Sequence, residues 1–382
     1  MTASATLSQA TRVLRAVAAG ARADDALRAL LPRRRFASSP EERRAVSRAV
    51  FTYYRWWRWL AARDSLPAQL EAALALQARF DRDPAAFKPE ALAARAVPDW
   101  LKDEMDSLPP GWLRQLQREP TLWIRIKRGH EARVTAGLGD CHPTGFSGSA
   151  FRYAGRKDLF LTPEFRSGLF EIQDLASQLV GLAAAPRPGE TWWDACAGEG
   201  GKTLHLSDLM ANQGLIWASD RSVRRLAHLK ERAARAQAFN FRAAAWDGGP
   251  RLPTKTKFDG ILVDAPCSGI GTWQRNPHAR WTTQPLDIRE LAAVQARLLG
   301  HVAGSLKPGG RLVYAVCTLT RAETAAVAAA LASSHPELEP APVILPPGGA
   351  APASGLPPPV AATLWPQDLD ANGMFIATWR RN

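Results

Sequence analysis

Apolar side chains recur at three- and four-residue steps through Val46, Val50, Tyr53, Trp57 and Leu60. That spacing lines one face of an α-helix. Leu7, Val13, Leu14 and Val17 repeat it nearer the start, and residues 5–95 as a whole read as helices. Ser39-Pro40-Glu41-Glu42 has the chemistry of a helix start, with Ser39 as N-cap and Glu42 at the third position. Arg44, Arg48, Arg55 and Arg58 then share part of one face. It is either a solvated surface or one that contacts phosphates.

Residues 96–185 read as mixed structure. A short strand is predicted at 122–127, short strands with glycine turns at 145–161, and an amphipathic helix at 170–182, closed by Pro186 to Gly189. From Thr191 onward apolar runs alternate with helical stretches. Strands are predicted at 191–197, 215–219, 258–265 and 311–317, helices at 201–212, 222–237, 286–304 and 322–332. Asp247 closes a further short strand. Such alternation predicts an α/β, Rossmann-like, doubly wound and mostly parallel sheet. Nine prolines and three glycines within 336–359 predict a loop, and 373–379 a final strand. The chain thus divides into a helical domain at 1–95, an α+β connecting subdomain at 96–185 and an α/β domain at 186–382.

Its 382 residues suffice for two or three domains. A hydrophobic share of 46% with 22% charged residues suits a soluble protein with sizeable cores. The net charge of +13 changes the picture. It favours a polyanionic partner, because each neutralised phosphate releases counterions. A compositional preference for arginine would give the same number. Residues 1–100 alone hold 17 Lys+Arg against 10 Asp+Glu. The first 20 residues are Ala-rich with two arginines, as in a transit peptide, but Asp24 and Asp25 follow quickly and the apolar spacing favours a helix of the fold. No apolar run approaches the roughly 18 residues of a membrane span. Cys141, Cys196, Cys267 and Cys317 include no CxxC pair, which argues against a zinc site and against a secreted disulfide framework. They read as thiols of a reducing, cytoplasmic compartment.

Three stretches carry chemistry. DACAGEGGKT at 194–203 joins a predicted strand to a predicted helix, where small residues let backbone N–H groups approach a ligand. It matches neither the phosphate-loop pattern nor GxGxxG. Asp220 ends the next strand and can accept ribose hydroxyls, and Asp247 ends the one after. DAPCSGIGT at 264–272 places Asp264 at a strand's carboxyl end, with Cys267 just beyond. Arg275, His278, Arg280 and Trp281 follow. They suit phosphate contact and base stacking, or equally a structural aromatic among solvated arginines. LVYAVCTLT at 312–320 is a buried strand with Cys317 at its end. Adjacent strands would bring Cys267 and Cys317 to one crevice, where a thiolate near Lys202 and helix N-termini becomes nucleophilic.

Together these motifs, with RNPHARW at 275–281, resemble the Nop/Sun family of RNA 5-methylcytosine methyltransferases, and its bacterial ribosomal-RNA (RsmB-type) branch most of all. The likeness covers about 165–335 and extends to GMFIATW at 373–379. The N-terminal third resembles that branch's helical RNA-binding domain, of the type seen in the antitermination factor NusB. The resemblance implies a class I methyltransferase domain at 186–382, S-adenosyl-L-methionine as cofactor, no metal, and RNA as partner, 16S ribosomal RNA before transfer RNA. It implies that Cys196, Ala197, Gly198, Glu199, Gly200, Gly201 and Lys202 wrap the methionine part, that Asp220 holds the ribose, and that Asp247 lies near the adenine. Arg225 joins this cofactor set. Asp264 would face cofactor and base, with Lys202 beside it, Cys317 would be the nucleophile, and Cys267 would assist product release. The sequence departs from the family pattern at Gly198-Glu199, Ala315-Val316, Thr318 and His278. None of these removes a required group, although Glu199 adds charge beside the cofactor.

The chemistry explains the residue types. Carbon 5 of cytosine is a poor nucleophile until a thiolate adds to carbon 6, which would be the task of Cys317. Charge developing at ring nitrogen 3 needs a proton or hydrogen bond, for which Asp264 is the candidate. The base must be unstacked to be reached, so a loop or opened RNA is the natural substrate. Three other readings stand beside this one: a DNA cytosine methyltransferase using Pro266-Cys267, a transfer-RNA enzyme, and a ribosome-assembly RNA-binding protein without catalysis.

Overall fold

The computed structural model describes residues 3–31, 39–62, 64–346 and 359–382. They fall into two units, Met1–Pro120 with Thr272–Thr283, and Thr121–Gly271 with Gln284–Asn382.

The described part of the first unit is helical, with helices at Ala3–Ala18, Ala23–Leu30, Pro40–Trp56, Leu66–Arg82 and Pro89–Arg95 among its elements. Val13, Leu14, Val46, Val50 and Tyr53 meet in its core, as the apolar spacing requires. The capping box forms: Glu42 N–H donates to Ser39 Oγ at 3.1 Å and Ser39 N–H to Glu42 Oε2 at 2.7 Å. The four arginines, however, do not form one exposed surface, since Arg55 is buried and Arg58 lies beyond the helix. Arg48 pairs with Glu119 at 2.7 Å and Arg58 with Asp99 at 2.8 Å. Arg55 is buried, donates to Gln77 Oε1 at 3.1 Å, and is pulled by burial down to about 10. The reason is local. The helix ends at Trp56, which packs on Phe80 and Phe87, and the chain tightens into a 3₁₀ turn at Trp57–Trp59. The 3.6-residue register therefore stops before Arg58.

Thr272–Thr283 corrects a second expectation. Arg280 is fully buried, and donates to the carbonyls of Ala96 at 2.9 Å, Leu116 at 3.0 Å and Trp273 at 3.4 Å. Trp281 Nε1 donates to Tyr54 O at 2.7 Å, and the His278 ring meets Tyr54 edge-on. Neither phosphate contact nor solvation describes Arg280 or Trp281, since buried carbonyls need donors and these side chains supply them. Arg275 alone of the four is exposed.

The second unit holds two sheets. Leu122–Ile126 (β1), Cys141–Pro143 (β2), Ala150–Tyr153 (β3) and Phe170–Ile172 (β4) form an antiparallel sheet in the order β2-β3-β1-β4. The predicted helix at 170–182 is therefore wrong at its start. Phe170–Ile172 is strand, and the helix runs over Leu175–Ala184 behind the N-cap Asp174. It is buried nearly all round rather than amphipathic.

The large sheet contains Thr191–Asp194 (β5), Leu215–Asp220 (β6), Phe241–Ala245 (β7), Phe258–Asp264 (β8), Leu306–Val316 (β9), Leu338–Ala341 (β10), Ala361–Leu364 (β11) and Met374–Arg381 (β12). Its order is β10-β12-β9-β8-β5-β6-β7, with β11 also on β12. The five strands from β5 to β9 are parallel, and β12 runs antiparallel to β9. Alternation along each strand feeds two cores. Trp192, Leu262, Val313 and Ala315 pack under the helix Leu175–Ala184, while Trp193, Ile261, Val263, Leu312 and Tyr314 pack under Pro285–Ala303 and Ala325–Ser334. This is the mostly parallel, doubly wound α/β fold that the alternating pattern predicted. The loop predicted at 336–359 is corrected at 338–341, which forms β10. Pro340 is tolerated there because it lies on an outer strand. Residues 347–358 of that stretch lie outside the described residues.

Replacing Arg280 with Met should lower the unfolding free energy by about 2–4 kcal/mol, because buried carbonyls lose their donor. Thermal melting checks this. An unchanged melting temperature with weakened RNA binding would restore the phosphate-contact reading.

Candidate active site

Strand ends build the site from backbone outward. β5 stops at Asp194, and the chain turns through 195–200 into the helix Gly201–Leu209. Gly198 and Gly200 take φ of +56° and +87°, which only glycine adopts readily. A Cβ at Gly200 would sit 2.6 Å from Leu229, whereas one at Gly198 or Gly201 would meet open space. The loop is pinned to β6: Ala197 N–H donates to Ser219 O at 2.8 Å, and Gly198 N–H to Asp220 Oδ2 at 3.0 Å. The other Asp220 oxygen accepts Ser222 N–H at 2.8 Å. A carboxylate offers about four lone-pair sites, so two remain for hydroxyl donors. Asp194 is fully buried and accepts the Thr203 hydroxyl at 2.6 Å. Burial pushes its carboxyl up to about 7, against the opposing Thr203 bond.

The neighbouring strands bring the sulfurs together. β8 and β9 pair with Asp264 opposite Ala315, so Cys267 leaves one strand beside Cys317 leaving the other. Ala265 N–H donates to Ala315 O at 3.0 Å and Gly271 N–H to Cys317 O at 3.1 Å. The sulfurs of Cys267 and Cys317 lie 3.2 Å apart. Gly271 also abuts the segment entering β12: a Cβ there would fall 2.1 Å from Gly373 O, which only a glycine avoids.

Lys202 Nζ reaches Asp264 Oδ2 at 2.6 Å. Burial works against the Lys202 charge, but Asp264 outweighs it, with Cys317 and Asp194 adding to the effect, so its pKa lies above the usual lysine value. The same attraction, read from the other side, stabilises negative charge on Cys317. Cys267 is driven the opposite way. Its bond to Cys317, its burial and the charges of Cys317 and Glu323 hold the thiol protonated well above the usual range. Cys196 is likewise raised, by burial and by Asp194, Asp264 and Asp220. It lines the adjoining cavity.

A cavity of about 510 Å³ gathers the predicted residues. Cys196, Ala197, Gly198, Glu199, Gly201, Lys202, Asp220, Arg225, Asp247, Asp264, Cys267 and Cys317 all line it. Gly200 does not, being turned into Leu229. Glu199 is engaged by His228 Nδ1 at 3.3 Å, and Arg225 lies 3.9 Å from Asp220. Asp247 sits just past β7 and accepts Gly249 N–H at 2.8 Å. Sequence reading missed Trp246, Val294 and Leu298, the apolar side of the cavity. The four-residue step from Val294 to Leu298 on one helix face was the available signal. An acidic rim, an open glycine loop and an apolar wall, in a volume within the usual 300–1,000 Å³ of ligand pockets, fit an adenosine-bearing cofactor.

Asp194 gives the site a pH signature. Unfolded, its carboxyl titrates near 3.8, and folded it holds its proton to about 7. Unfolding between those values releases a proton, so its contribution to stability falls as pH rises from about 4 to about 7 and is flat above. The urea midpoint of the parent should therefore lose ground to that of Asp194→Asn across this window. A difference independent of pH would contradict a buried protonated Asp194.

Residues 181–380 match the model of the 16S rRNA methyltransferase RsmB/F family. The probable ribosomal RNA small subunit methyltransferase B of Bacillus subtilis is 39% identical over 178 residues, covering 46% of this chain and 40% of that protein. Ribosomal RNA small subunit methyltransferase B of Erwinia tasmaniensis is 34% identical over 238 residues, covering 58% of this chain and 54% of its own. The chain thus spans about half the length of the curated relatives it matches. Among solved structures, a methyltransferase homolog protein from Pyrococcus horikoshii has a TM-score of 0.60 at 27% identity, covering 72% of this chain and 90% of that one. NSun6 from Pyrococcus horikoshii with SFG shares the fold, with a TM-score of 0.61 at 19% identity over 71% of this chain and 93% of its own. With the match to the family model running from the helix before β5 through the closing strand β12, the chain belongs to the 16S rRNA methyltransferase RsmB/F family, the RsmB-type branch of the Nop/Sun group.

Proposed function

We propose that the protein methylates carbon 5 of a cytosine in RNA, 16S ribosomal RNA in the first place, with S-adenosyl-L-methionine as methyl donor. One observation carries the reading: two thiols 3.2 Å apart at adjacent strand ends, beside an ion pair of buried Lys202 with half-buried Asp264 and an open cavity. A small-molecule methyltransferase has no use for the second thiol, and a DNA-type assignment of Cys267 as nucleophile would leave Cys317, 3.2 Å away, without a role.

Asp220 would hold the ribose, residues 196–202 the methionine part, and Asp247 with Trp246, Val294 and Leu298 the adenine. When bound, the cofactor supplies the methyl group that carbon 5 takes. Cys317, with Lys202 favouring its thiolate, adds to carbon 6, and the double-bond electrons move toward ring nitrogen 3. The Lys202–Asp264 pair meets that charge with a proton or hydrogen bond. Cys267, a protonated thiol, serves the release step. It holds the water that takes the carbon-5 proton, and it hydrogen-bonds the Cys317 sulfur as the bond to carbon 6 breaks. The helical unit, of NusB type on this reading, and the small sheet β1–β4 within the connecting subdomain 96–185 would carry the RNA.

Labelled methyl transfer to small-subunit ribosomal RNA tests this. Cys317→Ala should lose all transfer, and Cys267→Ala should accumulate a protein–RNA adduct that survives denaturing electrophoresis. An active Cys317→Ala protein rejects the assignment, and an adduct in that variant means the two thiols exchange roles. Bisulfite sequencing of ribosomal and transfer RNA from a deletion strain then names the cytosine.

A further inference from the structure

The proposed function uses two sulfurs in contact, but strand ends are followed by loops, and loops can splay. Glu323, six residues past Cys317, is completely buried yet faces no cation in its hydrogen-bond shell. Its Oε1 accepts Ser268 N–H at 2.8 Å and Gln295 Nε2 at 3.0 Å. Its Oε2 accepts the hydroxyls of Thr318 at 3.2 Å, Thr320 at 3.0 Å and Ser268. The hydroxyls of Ser268 and Thr318 also touch each other at 2.8 Å. Ser268 follows Cys267 in the chain, and Thr318 follows Cys317. One carboxylate therefore grips both cysteine-bearing segments at the very next residue. Gln295 extends the grip by donating to Pro266 O at 2.9 Å, on the other side of Cys267. Tyr314 closes the network from β9, its one hydroxyl proton shared between Glu323 O at 2.6 Å and Gln295 Oε1 at 3.0 Å.

Burying a carboxylate among neutral donors costs stability unless every lone pair is used, and here both oxygens are. A well-packed apolar residue would fold this corner more cheaply. The polar choice is explained if the network does more than hold the fold. We infer that Glu323 is a positioning residue for the cysteine pair: through Ser268 and Thr318 it ties the Cys267 loop to the Cys317 strand end and sets the separation of the two sulfurs. The inference rests on the proposed reading that both thiols act in one reaction. Its charge has a second consequence, since it adds to the influences that keep Cys267 protonated while Lys202 favours charge on Cys317. The two thiols are thereby made chemically unequal at contact distance.

Glu323→Gln and Glu323→Ala both remove the charge, and only Gln keeps an oxygen for Ser268 N–H and Gln295. The difference between them isolates the tie. The rate of Cys267–Cys317 disulfide formation with diamide, mapped by peptide mass spectrometry on the whole protein, reads the sulfur separation without any RNA. Glu323→Ala is expected to cross-link about tenfold or more slowly than Glu323→Gln, and to lose about 100-fold in kcat with the cofactor KM within about threefold, as a small misplacement of reacting groups does. Glu323→Gln should recover most of that kcat. Ser268→Ala with Thr318→Val keeps the charge and should also cross-link more slowly than the parent, a second reading should Glu323→Ala fail to fold. Equal cross-linking rates in Glu323→Ala and Glu323→Gln, or parental rates in the double variant, overturn the inference. Failure of the parent to methylate RNA while these cross-linking differences hold would instead overturn the proposed function and leave the tie intact.

Discussion

Backbone hydrogen bonding between β8 and β9, in the register that sets Asp264 opposite Ala315, delivers Cys267 and Cys317 to one point. The register is fixed on both faces. Ile261 and Val263 feed one core, Leu262 feeds the other, and a one-residue slip would exchange them. The chemistry therefore inherits its geometry from hydrophobic burial far larger than any single polar contact. What burial cannot supply is the charge pattern. That comes from Lys202, carried by the helix after β5, and Asp264, at the end of β8, joined across 62 residues of sequence at 2.6 Å.

The site is a graded electrostatic environment. Lys202 is charged, Asp194 keeps its proton to about 7, and the Cys267 thiol is held protonated. Burial sets the state of Asp194, the Asp264 contact outweighs burial at Lys202, and the bond to Cys317 together with burial sets Cys267. Asymmetry between two identical side chains is the feature on which the proposed division of labour depends. One sulfur lies in the field of a lysine, and the other in that of a buried carboxylate.

The apolar runs made the parallel strands legible, and with them the strand ends where Asp220, Asp264 and Cys317 sit. Motif chemistry supplied the rest of the cofactor side. Misreadings arose where local pattern competes with tertiary context. Phe170–Ile172 continues a helical apolar spacing but pairs with β1, and only the Asp174 cap marked the true start. β10 hides behind Pro340, which an outer strand accepts. Arg280 reads as surface charge because no sequence rule announces three buried carbonyls awaiting a donor. Glu323 escaped for the same reason. A glutamate near a helix start looks solvated until the structure reveals what surrounds it.

The central claim is that Cys317 becomes covalently bound to carbon 6 of a cytosine. RNA bearing 5-fluorocytidine tests it most directly, because fluorine at carbon 5 cannot leave as a proton and the protein–RNA bond persists. Proteolysis and mass spectrometry of the parent protein incubated with such ribosomal RNA and S-adenosyl-L-methionine should find the methylated, fluorinated nucleotide on the peptide carrying Cys317. Its attachment to Cys267, or turnover of unsubstituted RNA with no adduct on either thiol, would contradict the account.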